Sequence, residues 1–358
     1  MAKGKQRKIW KRVGIAVGVL AVLFFVASFI IDKQNLDQTF ARVEPMSPRL
    51  MPTEEFADAY NSEPVEFEFQ DATLRGYVYK ADDPKGFIVF RHGITSEHMD
   101  YLALICAMVD RGWTVFAYDA IGCGISDGDY VKGMAQSALD VAAAVDFVRE
   151  TGMSDGLPLV LWGHSWGGYG VAAAMDIVPD VDACVTMSGY NSPVDVLMEF
   201  TERMMGPAAV TQYPTMWLNN KLAFGADADR TALDGINKTS APVLIIHGNA
   251  DAVVEYEGSA IIAQRERISN ENVQYLVMDK PGCNGHNSYF YTARANEYLN
   301  QKAEELADLS KQYPDGIPED VIATFMEGYD YKRANEASPE LIDAIDAFLT
   351  EQCSTGKL

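Results

Sequence analysis

The chain has 358 residues, of which 48% are hydrophobic and 22% charged, a composition typical of a folded protein rather than a disordered one. Its formal net charge is −22, although the first 12 residues carry six basic side chains and no acidic one. The remainder is therefore strongly acidic and repels nucleic-acid phosphates, so nucleic acid is excluded as an expected partner. The length suits one large domain with appendages.

An uncharged apolar segment, residues 13–31, follows the basic tail formed by residues 1–12. As a helix it would be about 28 Å long, close to the thickness of a bilayer core. We expect a single-pass anchor in the lipid bilayer of the cell membrane, with a cytoplasmic N-terminus and an extracytoplasmic remainder, because basic residues flank the apolar run on its N-terminal side. A cleaved signal peptide is the alternative, since residues 26–28 include small side chains, but the apolar run is long for one.

The segment after the anchor, residues 32–64, is predicted to be a juxtamembrane linker, and residues 65–358 a folded domain. Eight short apolar or alternating segments predict strands, and most are separated by helical patterns. This alternation indicates an α/β fold with a mostly parallel central sheet and helices on both faces. The predicted strands begin at Val65, Leu74, Phe87, Thr114, Leu159, Ala183, Val243 and Val273.

Two regions depart from the alternation. Residues 191–240 have helical patterning without a strand candidate, and an insertion of this length favours a lid. Its Met204, Met205 and Trp217 are candidate substrate-binding residues, because methionine and aromatic side chains adapt to flexible acyl chains. The alternative is that they pack the insertion onto the sheet. Residues from about 290 to 358 are predicted to hold additional C-terminal helices.

A candidate nucleophile lies where the fifth predicted strand ends, in the sequence Gly163-His164-Ser165-Trp166-Gly167. This G-x-S-x-G pattern, with a strand before it and small residues after it, predicts a tight strand–turn–helix elbow that exposes Ser165. A helix N-terminus would then point at negative charge developing beside the serine. The alternative is an ordinary glycine-rich turn.

A serine hydroxyl needs a base, and a base needs a carboxylate to orient it. Of the five histidines, only His286 lies in a loop after the last predicted strand, where it can reach over the sheet edge. Asp251 follows the seventh predicted strand and precedes His286, which gives the chain order of serine, acid and histidine found in this type of fold. Glu255 and Glu257 are the alternative acids.

The oxyanion hole is expected from two backbone amides. One is that of Trp166, directly after the candidate nucleophile, and the other is that of Ile94, in the loop after the third predicted strand.

These stretches, together with "RHGITSEHMDY", "YDAIGCGISDG" and "HGNADAVV", resemble the α/β-hydrolase superfamily, in the branch of serine aminopeptidase-like and lysophospholipase or monoacylglycerol-lipase-like enzymes. The resemblance implies that Ser165 is the nucleophile, Asp251 the acid and His286 the base, and that Ile94 and Trp166 supply the oxyanion hole. It also implies the α/β-hydrolase fold.

The expected activity is hydrolysis of carboxylic esters, such as lysolipids, monoacylglycerols or small acyl esters, through an acyl-enzyme. One alternative is a serine exopeptidase, in which Glu199 or Glu202 would hold the free amine of a small peptide. Another is a catalytically inactive binding module with the same fold. The cysteines lack metal-ligand spacing, and neither a metal nor an organic cofactor is predicted.

Overall fold

A single sheet of eight strands is the centre of the computed structural model, which describes residues 2–45, 60–314 and 316–355. All eight predicted strands are present. They are β1 (Ser62–Phe69), β2 (Ala72–Tyr79), β3 (Gly86–Arg91), β4 (Trp113–Tyr118), β5 (Leu159–His164), β6 (Ala183–Met187), β7 (Val243–Gly248) and β8 (Val273–Met278). The order across the sheet is β1-β2-β4-β3-β5-β6-β7-β8.

The sheet is mostly parallel, as predicted. β1 pairs with β2 and β2 with β4 in antiparallel register, and the other five neighbouring pairs are parallel. The central strands are buried on both faces because alternate side chains enter two different cores. In β3, for example, Phe87 and Val89 lie in one core, whereas Ile88 and Phe90 lie in the other.

Helices cover both faces, which confirms the predicted architecture. One core is covered by α3, α4 and α7, and the opposite core by α2 and α11. The helices are α1 (Ala2–Thr39), α2 (Leu102–Asp110), α3 (Gln136–Thr151), α4 (Trp166–Ala174), α5 (Pro193–Met205), α6 (Tyr213–Phe224), α7 (Ala232–Lys238), α8 (Ala293–Gln312), α9 (Glu319–Glu327), α10 (Tyr331–Ala334) and α11 (Pro339–Thr355).

The interval between β6 and β7 is entirely helical or irregular. It contains α5, α6 and α7, with 3-10 turns at residues 206–212 and 225–229. Helix α5 begins where the Ser192 hydroxyl accepts a hydrogen bond from the amide of Asp195, and it ends before Gly206, which has a φ of 59°. Its Val196 and Leu197 are buried in the core, so the insertion is packed on the domain.

The C-terminal region holds three helices between β8 and the closing helix α11. Helix α11 packs Leu341, Ile345 and Leu349 into the second core, whereas α9 has no buried residue. The closing helix therefore belongs to the packing of the sheet domain itself, and α8–α10 form a more peripheral addition.

Helix α1 is longer than the predicted anchor. It continues through residues 32–39, where Leu36 packs on the first core and where Lys33 and Asp37 form an exposed i,i+4 ion pair (2.8 Å). The predicted linker therefore starts within a helix and ends within β1, and its residues 46–59 lie outside the described part. Among the described helices, α1 alone has the length and apolarity needed to cross a membrane, with a mean hydropathy of 2.8 over an 18-residue stretch.

Candidate active site

The turn between β5 and α4 places Ser165 above the carboxyl edge of the sheet. Ser165 has a φ of 56° and a ψ of −114°, a combination rarely adopted by residues with a side chain. Two close approaches enforce it: a Cβ on Gly163 would collide with the carbonyl oxygen of Gly167, and a Cβ on Gly167 would collide with that of Arg91. Only glycine fits at both positions, so the two glycines permit a backbone strain of about 1–3 kcal/mol at Ser165.

His286 lies within hydrogen-bonding distance of this serine. Its Nε2 is 2.9 Å from Ser165 Oγ, although the two residues are 121 positions apart in the chain. The histidine belongs to the loop after β8, and Gly285 in this loop donates its amide to the Ser288 hydroxyl (2.9 Å). The structure thus brings together the predicted nucleophile and base.

Asp251 completes the arrangement on the far side of the imidazole. Its Oδ2 is 2.7 Å from His286 Nδ1, while its Oδ1 accepts the amides of Val253 (2.8 Å) and Val254 (2.9 Å). The Nε2 of the buried His247 is 3.2 Å from Oδ2. Burial alone would raise the pKa of Asp251, but hydrogen bonds from His247 and His286 outweigh it and hold the pKa well below its usual range. The carboxylate is therefore ionised and oriented by four donors.

His247 and His164 surround the three candidate catalytic residues, and sequence reasoning assigned no role to either. His164 Nε2 is 3.1 Å from the backbone carbonyl of His286, and its Nδ1 is 2.9 Å from the Tyr101 hydroxyl. Burial and the proximity of His286 lower the pKa of His164 well below its usual value, so it is neutral. We assign the proton to Nε2, which donates to His286, and Nδ1 accepts from Tyr101.

The candidate oxyanion donors lie beside the serine. A Cβ added to Gly93 would be 3.5 Å from Ser165 Cβ, so the loop that carries Ile94 borders the nucleophile. Gly93 donates its own amide to the Tyr101 hydroxyl (3.0 Å). Trp166 is the first residue of α4, where backbone amides have no partner within the helix.

Two other histidines support this loop. His92 Nδ1 lies 2.7 Å from the Gly93 carbonyl, and its Nε2 accepts the amide of Ala120 (3.0 Å). Burial, together with the charge of Arg91, lowers the pKa of His92 to about 3, so it stays neutral. His98 binds Asp119 through Nδ1 at 2.8 Å. These interactions engage both histidines away from Ser165.

The three candidate substrate-binding residues of the insertion are exposed. Met204, Met205 and Trp217 are 76%, 44% and 42% exposed, respectively. At this exposure they contribute little to packing the insertion onto the domain, which depends instead on residues such as Leu197 and Met216. Their contact with an acyl chain bound at Ser165 stays a prediction.

A cavity of about 490 Å³ lies between α5, the turn that follows it and residues 255–264. Its lining includes Glu199 and Glu202, the two candidates for holding a substrate amine. The carboxylate of Glu199 already has three partners. It accepts hydrogen bonds from the amides of Glu255 (3.0 Å) and Ser259 (2.6 Å), and it forms an ion pair with Arg203 (2.6 Å). Glu202 is exposed at the cavity.

Parts of the chain are similar to known proteins. Residues 82–232 match the sequence model of the family described as serine aminopeptidase, S33. An uncharacterized protein of Escherichia coli strain K12, YfhR, is 25% identical over 208 residues, which cover 56% of this chain and 67% of that protein.

Solved structures share the fold. An esterase of Pyrococcus furiosus aligns with a TM-score of 0.51 at 18% identity, covering 76% of this chain and 98% of that one. An α/β-hydrolase of Vibrio vulnificus aligns with a TM-score of 0.54 at 17% identity, covering 75% and 88%. These likenesses show that the chain has the α/β-hydrolase fold.

The contacts of His164 predict an effect on reactivity. His164→Phe keeps a buried ring but removes the hydrogen bond to the His286 carbonyl. Because displacing a catalytic group by about 1 Å can cost about 10²-fold in rate, we expect the labelling rate of Ser165 by a fluorophosphonate probe to fall by about that factor. Thermal unfolding of the variant controls for loss of fold. An unchanged labelling rate would show that the carbonyl contact does not position His286.

Proposed function

We propose that this α/β-hydrolase is a membrane-anchored serine hydrolase that cleaves carboxylic esters through an acyl-enzyme. The observation that carries the proposal is the continuous hydrogen-bonded path from Ser165 Oγ to His286 (2.9 Å) and from His286 to Asp251 (2.7 Å). It has the order and the connectivity that activate a serine hydroxyl.

In the first half of the proposed reaction, Ser165 Oγ attacks the ester carbonyl carbon while His286 Nε2 takes the hydroxyl proton. The resulting imidazolium is stabilised by the ionised Asp251, and the oxyanion accepts hydrogen bonds from the amides of Ile94 and Trp166. The C–O bond to the alcohol then breaks, and His286 returns its proton to the leaving alkoxide. An acyl group remains on Ser165.

In the second half, a water molecule replaces the alcohol. His286 removes a proton from the water as the water oxygen attacks the acyl carbon. A second oxyanion forms, and it accepts hydrogen bonds from the same two amides. When this intermediate collapses, the bond to Ser165 breaks and Ser165 Oγ regains the proton from His286. The products are a carboxylic acid and an alcohol.

The structural neighbour from P. furiosus is an esterase, which agrees with ester substrates. The saturation of Glu199 also favours them, because a carboxylate bound by two amides and Arg203 has little capacity left for a substrate ammonium group. The runner-up, an exopeptidase, is favoured by the family description and by Glu202, which is exposed at the cavity. If the protein were an inactive binding module, the hydrogen bond between Ser165 and His286 would have no catalytic function.

The proposed location is the cell membrane, with α1 crossing the bilayer once. The uncharged run of residues 13–31 supports it, and the preceding basic tail favours a cytoplasmic N-terminus. The hydrolytic domain would then face away from the cytoplasm.

Removal of the nucleophile tests the mechanism directly. We expect Ser165→Ala to abolish both fluorophosphonate labelling and ester turnover, and His286→Ala to lower turnover by several orders of magnitude, because the hydroxyl is then not activated. Ser310→Ala, at an exposed serine of α8, is the matched control and should behave like the wild type. Near wild-type turnover in Ser165→Ala would exclude the serine mechanism. If the wild-type protein neither turns over esters nor is labelled by the probe, the inactive binding module is favoured.

A substrate panel separates ester from peptide hydrolysis. We expect kcat/KM for acyl esters of graded chain length to exceed that for aminoacyl amides, and Glu202→Gln to leave ester turnover unchanged. Glu266→Gln, also exposed and acidic, controls for the loss of one surface charge. If aminoacyl amides are preferred and Glu202→Gln alone raises their KM, the exopeptidase is the correct function.

Protease access tests the topology. Protease added to cells stripped of any outer wall should digest the hydrolytic domain, because the positive-inside rule puts it outside the membrane. The immunoblot signal of an N-terminal tag should survive as a short fragment. Protection of the whole domain until the membrane is broken would reverse the orientation.

A further inference from the structure

The anchor helix and the helical insertion are in direct contact. Ser28 and Asp32 of α1 are buried although residues 6–27 of the same helix are exposed. The buried carboxylate of Asp32 accepts a hydrogen bond from the hydroxyl of Thr215, in the first turn of α6. Because residues 28 and 32 are one helical turn apart, a single stripe of α1 packs on α6.

This contact fixes the height of α6 relative to a membrane. The apolar run ends at residue 31, between the two buried positions. One residue of helix corresponds to about 1.5 Å, so Ser28 lies only about 5 Å inside the end of the apolar run. If α1 spans the bilayer as proposed above, α6 must lie at the boundary between lipid and water.

The junction between α1 and the domain is short and hydrogen-bonded. Phe40 is buried in the first core, and its carbonyl accepts the amide of Val131 (2.8 Å). The Arg42 guanidinium donates to the carbonyls of Gly124 (2.9 Å), Ser126 (3.1 Å) and Gly128 (2.6 Å). The anchor therefore continues directly into the domain, and its direction sets which surface faces the lipid.

The insertion that contacts α1 carries exposed apolar side chains. Six large hydrophobic side chains that are exposed lie within residues 204–222, and we call them the apolar patch. Val210 and Leu222 are 71% and 70% exposed, so the patch lies open to its surroundings. Tyr130, also exposed, forms a β-bridge with Ala41 just after the anchor. The patch comprises Met204, Met205, Val210, Tyr213, Trp217 and Leu222.

We infer that the apolar patch docks on the same bilayer that α1 spans, so that the insertion is a second, interfacial contact with lipid. The inference rests on the proposed anchoring of α1. Tyr213 and Trp217 have the amphipathic side chains that favour the lipid–water interface. The strongly acidic chain gains nothing from anionic headgroups, so the tether rather than charge brings the patch to the lipid.

Asp32 is then a positioning residue. A buried carboxylate one residue beyond the apolar run has no role in crossing the membrane, but its bond to Thr215 determines which stripe of α1 faces α6. This contact selects the rotation about the anchor axis that turns the patch towards lipid.

Site-specific fluorescence in the full-length chain tests the docking. All five natural cysteines are free and buried, so a single introduced cysteine can be labelled selectively in the folded protein. The label is an environment-sensitive fluorophore, and the protein is reconstituted in phosphatidylcholine vesicles that contain brominated lipids, which quench fluorophores only on contact. The positions are Val210→Cys and Leu222→Cys in the patch, Leu20→Cys in the anchor and Asp308→Cys on the polar helix α8 as the exposed control.

We expect the labels at residues 210 and 222 to lose more than half of their fluorescence, as the label at residue 20 does, and the label at residue 308 to keep it. If residue 20 is quenched while residues 210 and 222 behave like residue 308, the docking is wrong and the anchoring stands. If residue 20 is not quenched either, α1 does not span the vesicle membrane and both proposals fail.

The same measurement isolates Asp32. Asp32→Ala should reduce quenching at residue 222 and leave quenching at residue 20 intact, because the anchor remains inserted while its contact with α6 is lost. Asp37→Ala, an exposed position on the same helix, is the matched control and should change neither signal. If the label at residue 222 is still fully quenched in Asp32→Ala, Asp32 does not position the patch.

Discussion

The close approach of the β5–α4 turn to the end of β3 is the constraint on which the rest of the site depends. A side chain at position 167 would collide with the Arg91 carbonyl, so only glycine fits there. The resulting tight turn holds Ser165 at a φ of 56°, with its hydroxyl above the sheet. The turn is supported from below: Arg91 is buried, forms an ion pair with Asp140 (2.9 Å) and lies 4.2 Å from the centre of the Trp166 ring. A buried pair of this kind is costly to break, so the platform beneath the serine is rigid.

From this platform the parallel sheet determines the remaining geometry. The loops after β3, β5, β7 and β8 all leave the same edge, so Gly93, Ser165, Asp251 and His286 meet although they are far apart in sequence. Four of the five histidines then divide into two kinds. His286 lies between the serine and the carboxylate, whereas His92, His164 and His247 bind backbone carbonyls and hold the loops in place.

The sequence predicted the strands and the grouping of Ser165, Asp251 and His286, because buried parallel strands are continuous apolar runs and each site residue follows the end of one. It could not predict the contacts of His164 and His247, since these depend on loops that meet only in the folded chain. It also could not show that α1 continues to Thr39 and packs Asp32 against Thr215. A lone aspartate after an apolar run looks like the start of a soluble linker, and its partner is 183 residues away.

The relative size of the two proposed lipid contacts indicates what each would do. A fully buried large apolar side chain contributes about 1.5–3 kcal/mol, so the 19 uncharged residues of the span far exceed the six of the apolar patch in binding free energy. In this proposal the patch is therefore not needed for attachment, and its contribution would be to orientation. A single spanning helix leaves rotation about its own axis free, and only an off-axis contact can restrict it. Because the patch is part of the insertion between β6 and β7, restricting that rotation would also set how the whole domain, with Ser165, is oriented on the lipid surface.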